Sequence, residues 1–280
     1  MIITNKFNLP EQIVKSVSKG TDRPTNDRIR VTSLIGPTLI RQLQMKHWDE
    51  LEEDASDRLW ALLGTSVHYI LNEASNADHF TEERLSAEFG GVVISGQSDN
   101  YHDKEIQDWK VTSVWSFLHG IKPEWVAQLN VYAWLWRQAG FEVEKLTINA
   151  ILRDWQVGKR FEEGYPKVQF QSISIPAWPQ AQTVEYIADR VCRHLLPAEE
   201  CTPEEKWAAE TTWACKKAKN KRASKVCATE EDAQVWIDSQ KKPSEFVIEK
   251  RLGGNRRCES YCPVSAFCPY YKEDTDEPQS

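Results

Sequence analysis

The stretch that decides the fold is ISGQSDNYHDKEIQDWK, residues 94–110. Two segments of mixed apolar and polar residues flank the polar sequence HDKE at 102–105, a pattern typical of an antiparallel β-hairpin. If residues 102–105 form its loop, Asp99 lies directly opposite Asp108, because the turn of a hairpin fixes its register. Directly opposed residues share a face of the sheet, with Cβ atoms about 5 Å apart.

Two carboxylates held that close repel one another, and a divalent cation removes the repulsion. Oxygen ligands suit Mg²⁺ or Mn²⁺. Lys110 follows Asp108 by two residues and points to the same face, whereas Trp109 points away. A lysine beside a bound cation can orient or deprotonate a water, or offset charge that develops on a phosphate. The hairpin therefore favours metal-assisted phosphodiester hydrolysis; the alternative is a surface hairpin that carries ordinary charges.

Two predicted helices flank the hairpin in the sequence. The helix before it contains Gly64 and His68, which are four positions apart and therefore share a face. The helix after it contains Gln128 and Tyr132 at the same spacing. Each pair also has an ordinary explanation: a satisfied helix histidine in the first case, and the polar edge of an amphipathic helix in the second.

Composition and pattern place the chain among soluble α/β proteins. Its 280 residues are 40% hydrophobic and 28% charged, values typical of a globular protein. Helical patterns alternate with a mixed set of strand patterns, which predicts an α/β core. We expect four segments: an irregular N-terminal arm (1–32), a core (33–197), a basic C-terminal part (198–272) and a loose acidic tail (273–280).

The same composition indicates a cellular compartment. No apolar run is long enough to span a membrane, and the N-terminus has no signal-peptide core. Seven cysteines, an odd number without a secretory signal, argue against a disulfide framework and for a reducing environment. We therefore expect a cytoplasmic protein.

Three of the cysteines lie close together, as Cys258-x3-Cys262-x5-Cys268. Soft thiolate ligands on a turn-rich segment indicate a metal or cluster site, and free buried cysteines are the alternative. A fourth ligand must come from elsewhere in the chain. The candidates are Cys201, at a boundary between prolines, and Cys215, in a lysine-rich loop, and Cys201 is the better placed.

A basic segment interrupts an otherwise acidic chain. Residues 206–225 carry seven basic residues against one acid, although the whole chain has a net charge of −7. Such a patch suits contact with a nucleic-acid backbone, and Trp207 and Trp213 can stack unpaired bases. The alternative is a solvated lysine face. The candidate DNA-binding residues are Lys216, Lys217, Lys219, Lys221 and Arg222.

Four motifs occur in the order Gly64-x3-His68, Gly96-x2-Asp99, Asp108-x-Lys110 and Gln128-x3-Tyr132. This order and spacing resembles the RecB-type nucleases of the PD-(D/E)XK superfamily. The resemblance implies a restriction-endonuclease-like core, a mixed sheet flanked by helices. It implies that the cation is bound by His68, Asp99, Asp108 and the main-chain carbonyl of Trp109. It further implies that Lys110 is the catalytic lysine, and that Gln128 and Tyr132 orient this lysine or the DNA strand.

The resemblance has further implications and two departures. Family members often carry an acidic residue before the hairpin, a position that Glu88 occupies here. The second acid, Asp108, stands where Glu is commoner. The cysteine triplet resembles the iron–sulfur branch, which includes the AddB nuclease domain, the CRISPR-associated adaptation nucleases and bacteriophage-encoded relatives. That branch implies a 4Fe–4S cluster with one ligand from upstream of the core, but this chain has no cysteine before Cys192. We therefore infer that Cys201 completes the set, with Zn²⁺ as the alternative occupant.

These inferences converge on one expected function. The chain is expected to be a Mg²⁺- or Mn²⁺-dependent DNA exonuclease acting on single-stranded or frayed ends in recombination, repair or replication, with proteins of those processes as possible partners. The expected setting is the bacterial cytoplasm or a phage-infected cell. Two alternatives remain: a non-catalytic DNA-binding recombination scaffold, and a structure-selective endonuclease such as a junction resolvase.

Overall fold

The computed structural model describes residues 1–20, 22–118, 120–220 and 222–271. The chain divides into two compact units, Met1–Glu199 and Glu200–Ser280. The acidic tail expected at 273–280 lies outside the described residues.

The strands of the first unit are β1 (Ile2–Thr4), β2 (Arg28–Arg30), β3 (Glu52–Asp54), β4 (Phe80–Phe89), β5 (Val92–His102), β6 (Glu105–Thr112), β7 (Lys145–Leu152) and β8 (Phe170–Ser174). Its α-helices are α1 (Glu11–Val17), α2 (Val31–Leu34), α3 (Thr38–His47), α4 (Leu59–Glu73), α5 (Val114–Leu118), α6 (Pro123–Gln138) and α7 (Gln180–Leu195).

The expectation of an irregular arm over residues 1–32 is wrong. This segment contains β1, α1 and β2, and β2 belongs to the main sheet, where Ile29 is fully buried. The two strands have three residues each and depend on distant partners, since β1 pairs with β3 and β2 with β5. Local periodicity does not reveal strands of this length.

A six-stranded sheet has the order β2-β5-β6-β7-β8, with β4 also paired to β5. The β2–β5 and β6–β7 pairs are parallel, and the β4–β5, β5–β6 and β7–β8 pairs are antiparallel. The predicted α/β class, a mixed sheet flanked by helices, is therefore confirmed.

The core lies where α6 packs against the sheet. Residues 127–136 of this helix are all buried, because apolar residues surround it rather than forming one stripe. Trp136 stacks on Tyr101 of β5 with ring centroids 4.3 Å apart, and its indole N–H donates to the Ser98 hydroxyl over 2.9 Å. Several tryptophans of this chain thus serve as core residues.

Gly96 lets β5 approach α6 closely. A Cβ atom at this position would lie 2.7 Å from the Tyr132 ring and 2.7 Å from the Val31 side chain, distances that real Cβ contacts do not reach. The glycine of the Gly96-x2-Asp99 motif is therefore required for packing, and it seats Tyr132 beside the strand that carries Asp99.

Gly96→Ala is expected to destabilise the fold by about 1–3 kcal/mol, because the added methyl group overpacks the interface between β5 and α6. Thermal and urea unfolding of the purified variant measure the change. Gly158→Ala is the matched control, since no atom lies within 4 Å of the Cβ position there. Equal stability of the two variants would contradict the packing role of Gly96.

The second unit is a small α+β assembly. Its strands are β9 (Thr212–Lys217), β10 (Lys225–Cys227) and β11 (Phe246–Arg251), and its helices are α8 (Pro203–Lys206), α9 (Glu230–Asp238) and α10 (Arg256–Ser260). The antiparallel sheet has the order β10-β9-β11, and α9 covers it over a core that contains Cys215 and Cys227. None of the described helices in the chain is both long and apolar enough to span a membrane.

Candidate active site

The β5–β6 hairpin has the predicted register. Asn100 pairs with Gln107 and His102 with Glu105, and continuing this ladder places Asp99 opposite Asp108. The turn residues Asp103 and Lys104 both have positive φ, 44° and 61°, as a two-residue type I′ turn requires. This two-residue turn therefore fixes the strand register and places the Asp99 carboxylate opposite that of Asp108.

A compact set of side chains that could hold a metal ion surrounds Asp99. One ligand atom each from His68, Glu82 and Asp99 lies within 4.8 Å of the others. The Nδ1 atom of His68 is 3.3 Å from Asp99 Oδ1 and 3.6 Å from Glu82 Oε1. Its Nε2 atom is 3.1 Å from the main-chain carbonyl of Trp109, and the Trp109 N–H donates to Asp99 Oδ2 over 2.6 Å. The structure thus brings together three of the four ligand groups that the sequence singled out.

Glu82 is the acidic residue that the sequence analysis missed. In the β4–β5 ladder, Thr81 pairs with Asn100 and Glu83 with Ser98, so Glu82 stands directly opposite Asp99. Glu88 lies six residues further along β4 and is exposed, so the acidic residue of β4 at this site is Glu82.

The backbone is distorted where Glu82 meets Asp99. Glu82 has a φ of 54°, a left-handed conformation that is uncommon for a non-glycine residue and clusters at functional sites. Ser98 and Tyr101 of the partner strand both contact Trp136, although three residues apart in an ideal strand point to opposite faces. This local twist directs Glu82 and Asp99 toward His68.

The protonation of His68 depends on the two carboxylates beside it, those of Asp99 and Glu82. The hydrogen bond from His68 to Asp99, followed by that to Glu82, raises the pKa of the imidazole to about 10. The same contact with His68 lowers the pKa of Glu82. Glu82 is therefore favoured in its charged form, the form in which a carboxylate could bind a cation.

A second network holds Asp108 and Lys110. Asp108 is 2% exposed, and its Oδ2 atom is 2.6 Å from Lys110 Nζ. Burial raises the pKa of Asp108 to about 6, and the Lys110 ammonium opposes that shift. Asp99 and His68 also act on this pKa, so the buried pair lies within electrostatic reach of the ligand set.

Gln128 and Tyr132 of α6 form a hydrogen-bond network with Asp108 and Lys110. The Gln128 amide donates to Asp108 Oδ1 over 3.4 Å and to the Tyr132 hydroxyl over 3.1 Å, and its oxygen accepts from Lys110 Nζ over 3.4 Å. Burial raises the pKa of Tyr132, so its hydroxyl remains neutral. The two residues are placed to fix the lysine and its carboxylate.

Cys201 lies beside the cysteine triplet of the second unit. Burial raises the pKa of its thiol to about 12, and the other causes are Glu205 and the thiols of Cys262, Cys258 and Cys268. The carbonyl of Glu205, on α8, accepts a 2.7 Å hydrogen bond from Arg257 of α10. Contacts between these short helices therefore bring the two cysteine segments together.

Cys215, the other candidate for a fourth ligand, lies in a different environment. The expectation that it sits in a loop is wrong, because it is a residue of β9. Its side chain is buried in the core beside Cys227, and its thiol donates to the Ala233 carbonyl. Strand pairing with β10 and β11 overrides the polar, lysine-rich character of this segment.

The predicted basic patch is partly neutralised. Lys216 pairs with Glu249, and Lys217 Nζ is 3.4 Å from Glu245. Lys219 and Arg222 are exposed, and Lys221 lies outside the described residues.

No protein-family profile and no curated protein matches the chain. Among solved structures, the crystal structure of SSO0001 overlaps 92% of this chain and 94% of its own, with a TM-score of 0.53 and 17% identity. A phage-related exonuclease from Haemophilus somnus 129PT overlaps 60% of this chain and 91% of its own, with a TM-score of 0.38 and 15% identity. The alkaline exonuclease LHK-Exo from Laribacter hongkongensis overlaps 60% and 86%, with a TM-score of 0.40 and 12% identity. At 17% identity, the similarity to SSO0001 concerns the fold alone.

Proposed function

We propose that the protein is a Mg²⁺- or Mn²⁺-dependent DNA nuclease that degrades single-stranded or frayed ends. One observation supports the proposal. Glu82, Asp99 and Asp108 lie directly opposite one another on the neighbouring strands β4, β5 and β6, with His68 beside Asp99 and Lys110 beside Asp108. Three carboxylates this close together repel each other; His68 and Lys110 offset part of that repulsion, and a bound divalent cation would offset the rest. The arrangement also agrees with the resemblance to RecB-type nucleases.

The donor set fits a divalent cation of this class. Carboxylates and a main-chain carbonyl are the hard oxygen ligands that Mg²⁺ and Mn²⁺ prefer, and one imidazole is compatible with Mn²⁺. Glu82, Asp99, Asp108, His68 and the Trp109 carbonyl would hold the ion. When bound, such an ion lowers the pKa of a coordinated water and offsets negative charge on a phosphate.

Lys110 is held for a chemical role in the same site. Its ammonium is fixed by Asp108 at 2.6 Å and by Gln128 at 3.4 Å, so it needs little reorganisation to contact a phosphate oxygen or the attacking water. A preorganised cation of this kind stabilises charge in the transition state better than solvent does.

Exposed aromatic rings near the site favour an unpaired strand as substrate. Trp60, on α4, and Trp115, on α5, are each 65% exposed, and the Arg153 guanidinium lies 4.2 Å from the Trp60 ring centre. Trp60 precedes His68 by eight residues of one helix, about 12 Å along its axis. Aromatic rings and arginine at this distance can stack bases and bind the strand whose phosphate is cleaved.

Trp60→Ala is expected to weaken binding of a single-stranded oligonucleotide by about 5- to 100-fold, the effect of losing one stacked base. Fluorescence anisotropy in the presence of Ca²⁺, which avoids cleavage, measures the affinity. Phe7→Ala, which removes a ring that is 71% exposed on the segment after β1, is the control. If Trp60→Ala binds as tightly as the wild type, α4 does not contact the strand.

We further propose that Cys201, Cys258, Cys262 and Cys268 hold a 4Fe–4S cluster that stabilises the second unit. Cys201 lies within electrostatic reach of Cys258, Cys262 and Cys268, so four thiolates of the kind that hold such a cluster occur in one part of the second unit. Zn²⁺ is the alternative occupant of the same four cysteines.

Cys201→Ser is expected to release the cluster, and Cys215→Ser to retain it. Anaerobically purified protein should be brown, with iron and sulfide in equal amounts; both should fall to near zero in Cys201→Ser. A colourless wild-type protein with one zinc would contradict the cluster, and loss of iron from Cys215→Ser alone would contradict its ligand set.

The mode of cleavage follows from one comparison of substrates. End-labelled linear and circular DNA, each single- and double-stranded, are incubated with the protein and Mn²⁺. Loss of linear single strands with circles intact is the expected result. Nicking of circles would show an endonuclease instead, and binding of every substrate without cleavage would show a scaffold.

A further inference from the structure

A second cluster of side chains that could hold a metal ion lies at the C-terminal end of β5, three residues beyond Asp99. Asp78 and His79 immediately precede β4, and His102 is the last residue of β5. The β4–β5 register, in which Phe80 pairs with Tyr101, places His79 opposite His102 when it is extended by one residue. One ligand atom from each of Asp78, His79 and His102 lies within 4.8 Å of the others.

The two imidazoles are held together in a defined orientation. Their rings stack with centroids 4.0 Å apart and planes 3° apart. The Nδ1 atom of His102 is 3.6 Å from Asp78 Oδ2, so a carboxylate already lies beside the ring pair. Two stacked imidazoles gain little from each other in water, and the charged forms repel, so mutual attraction does not account for the arrangement.

Asn100 supplies the contact that orients one of these rings. Its Oδ1 atom is 3.0 Å from Nδ1 of His79, and its amide nitrogen donates to Gln107 Oε1 over 3.1 Å. Because the Asn100 oxygen can only accept, Nδ1 of His79 carries the proton, and Nε2 keeps its lone pair. Metal-binding histidines are oriented in this way, with one ring nitrogen donating and the other free to coordinate.

We propose that Asp78, His79 and His102 form a binding site for a divalent transition metal of the zinc class, separate from the nuclease centre. Imidazole is the ligand that suits Zn²⁺, Ni²⁺ and Cu²⁺, and two imidazoles with one carboxylate form a common three-ligand zinc set whose remaining position is open to water. The rings must tilt for their lone pairs to converge, and rotation about χ2 of histidine is a soft motion.

The site links two segments of the chain that adjoin the candidate nuclease residues, one before Glu82 and one after Asp99. A metal bound there joins the segment before β4 to the end of β5. His79 lies three residues before Glu82, and His102 lies three residues after Asp99. It therefore stabilises the two strands whose distorted contact places the nuclease carboxylates. This proposal does not depend on the chain being a nuclease, since it concerns binding alone.

Zinc content tests the proposal directly. The full-length protein, with its cysteine site as isolated, is treated with EDTA, incubated with a small excess of Zn²⁺, passed through a desalting column and analysed for protein-bound zinc. The wild type is expected to hold one more equivalent than His102→Ala and His79→Gln, and its melting temperature is expected to rise with Zn²⁺ when theirs does not. Two variants at different ligands guard against a simple folding defect, which circular dichroism reveals.

His68→Ala is the control for binding at the nuclease site, and it should keep the extra equivalent. Titration with Co²⁺ adds a spectroscopic test: the visible bands of the wild type should disappear in His102→Ala without a change in any thiolate charge-transfer band. Equal zinc in the wild type and His102→Ala, or loss of the extra equivalent in His68→Ala alone, overturns the proposal.

Discussion

Lys110→Ala is expected to lower the single-turnover rate of DNA cleavage at least ~1000-fold, about 4 kcal/mol of barrier. The ammonium that Asp108 and Gln128 hold in place would be lost, and solvent cannot replace a preorganised charge at the reacting phosphate. The lysine side chain is 24% exposed, so its truncation leaves no large cavity and the fold should be retained.

The control for this substitution is Lys145→Ala. Lys145 lies on the neighbouring strand β7 and also pairs with an acid, Glu105, but it is remote from the ligand set. Because Lys110 opposes the raised pKa of Asp108, cleavage should also be measured at pH 9, since higher pH favours the ionised form of Asp108 in the variant. Near-normal cleavage by Lys110→Ala, or full rescue at pH 9, would contradict a direct role of the ammonium.

Glu82→Gln is expected to lower cleavage at least ~100-fold, about 3 kcal/mol of barrier, and to weaken the apparent affinity for Mn²⁺. The amide keeps the size of the side chain but removes one of the charged oxygens that lie within 4.8 Å of Asp99 and His68. Cleavage rates over a Mn²⁺ titration separate the loss of metal affinity from the loss of maximal rate.

Two glutamates on the same strand serve as matched controls. Glu83 is adjacent to Glu82 and exposed, and Glu88 is the exposed residue that the sequence analysis placed at the site. Glu83→Gln and Glu88→Gln should both cleave at the wild-type rate. If Glu88→Gln were inactive and Glu82→Gln active, the geometry of β4 described above would be wrong.

The two hairpin turns allow part of the candidate site to be predicted from the sequence, because each turn fixes which residues lie opposite one another. The turn at Asp103 and Lys104 fixes the position of Asp99 opposite Asp108, as the polar sequence at 102–105 predicts. The turn at Gly90 and Gly91, both with positive φ, fixes Glu82 opposite Asp99 by the same rule. The Gly90–Gly91 turn alone is therefore sufficient to predict that Glu82 lies beside Asp99.

Other features depend on contacts between distant residues and could not be read locally. Glu82 has a left-handed backbone conformation, which is uncommon for a non-glycine residue and is not predicted from its residue type. The three-residue strands β1 and β2 exist only through their partners. Cys215 lies in a lysine-rich sequence, yet it is buried because β9 is the central strand of its sheet.

The most direct test of the central claim is cleavage of an end-labelled single-stranded oligonucleotide by anaerobically purified protein, before and after removal of divalent cations. We expect cleavage with Mn²⁺ or Mg²⁺, no cleavage after EDTA treatment, and recovery when Mn²⁺ is restored. Cleavage that persists in EDTA, or no cleavage with either metal, would contradict it.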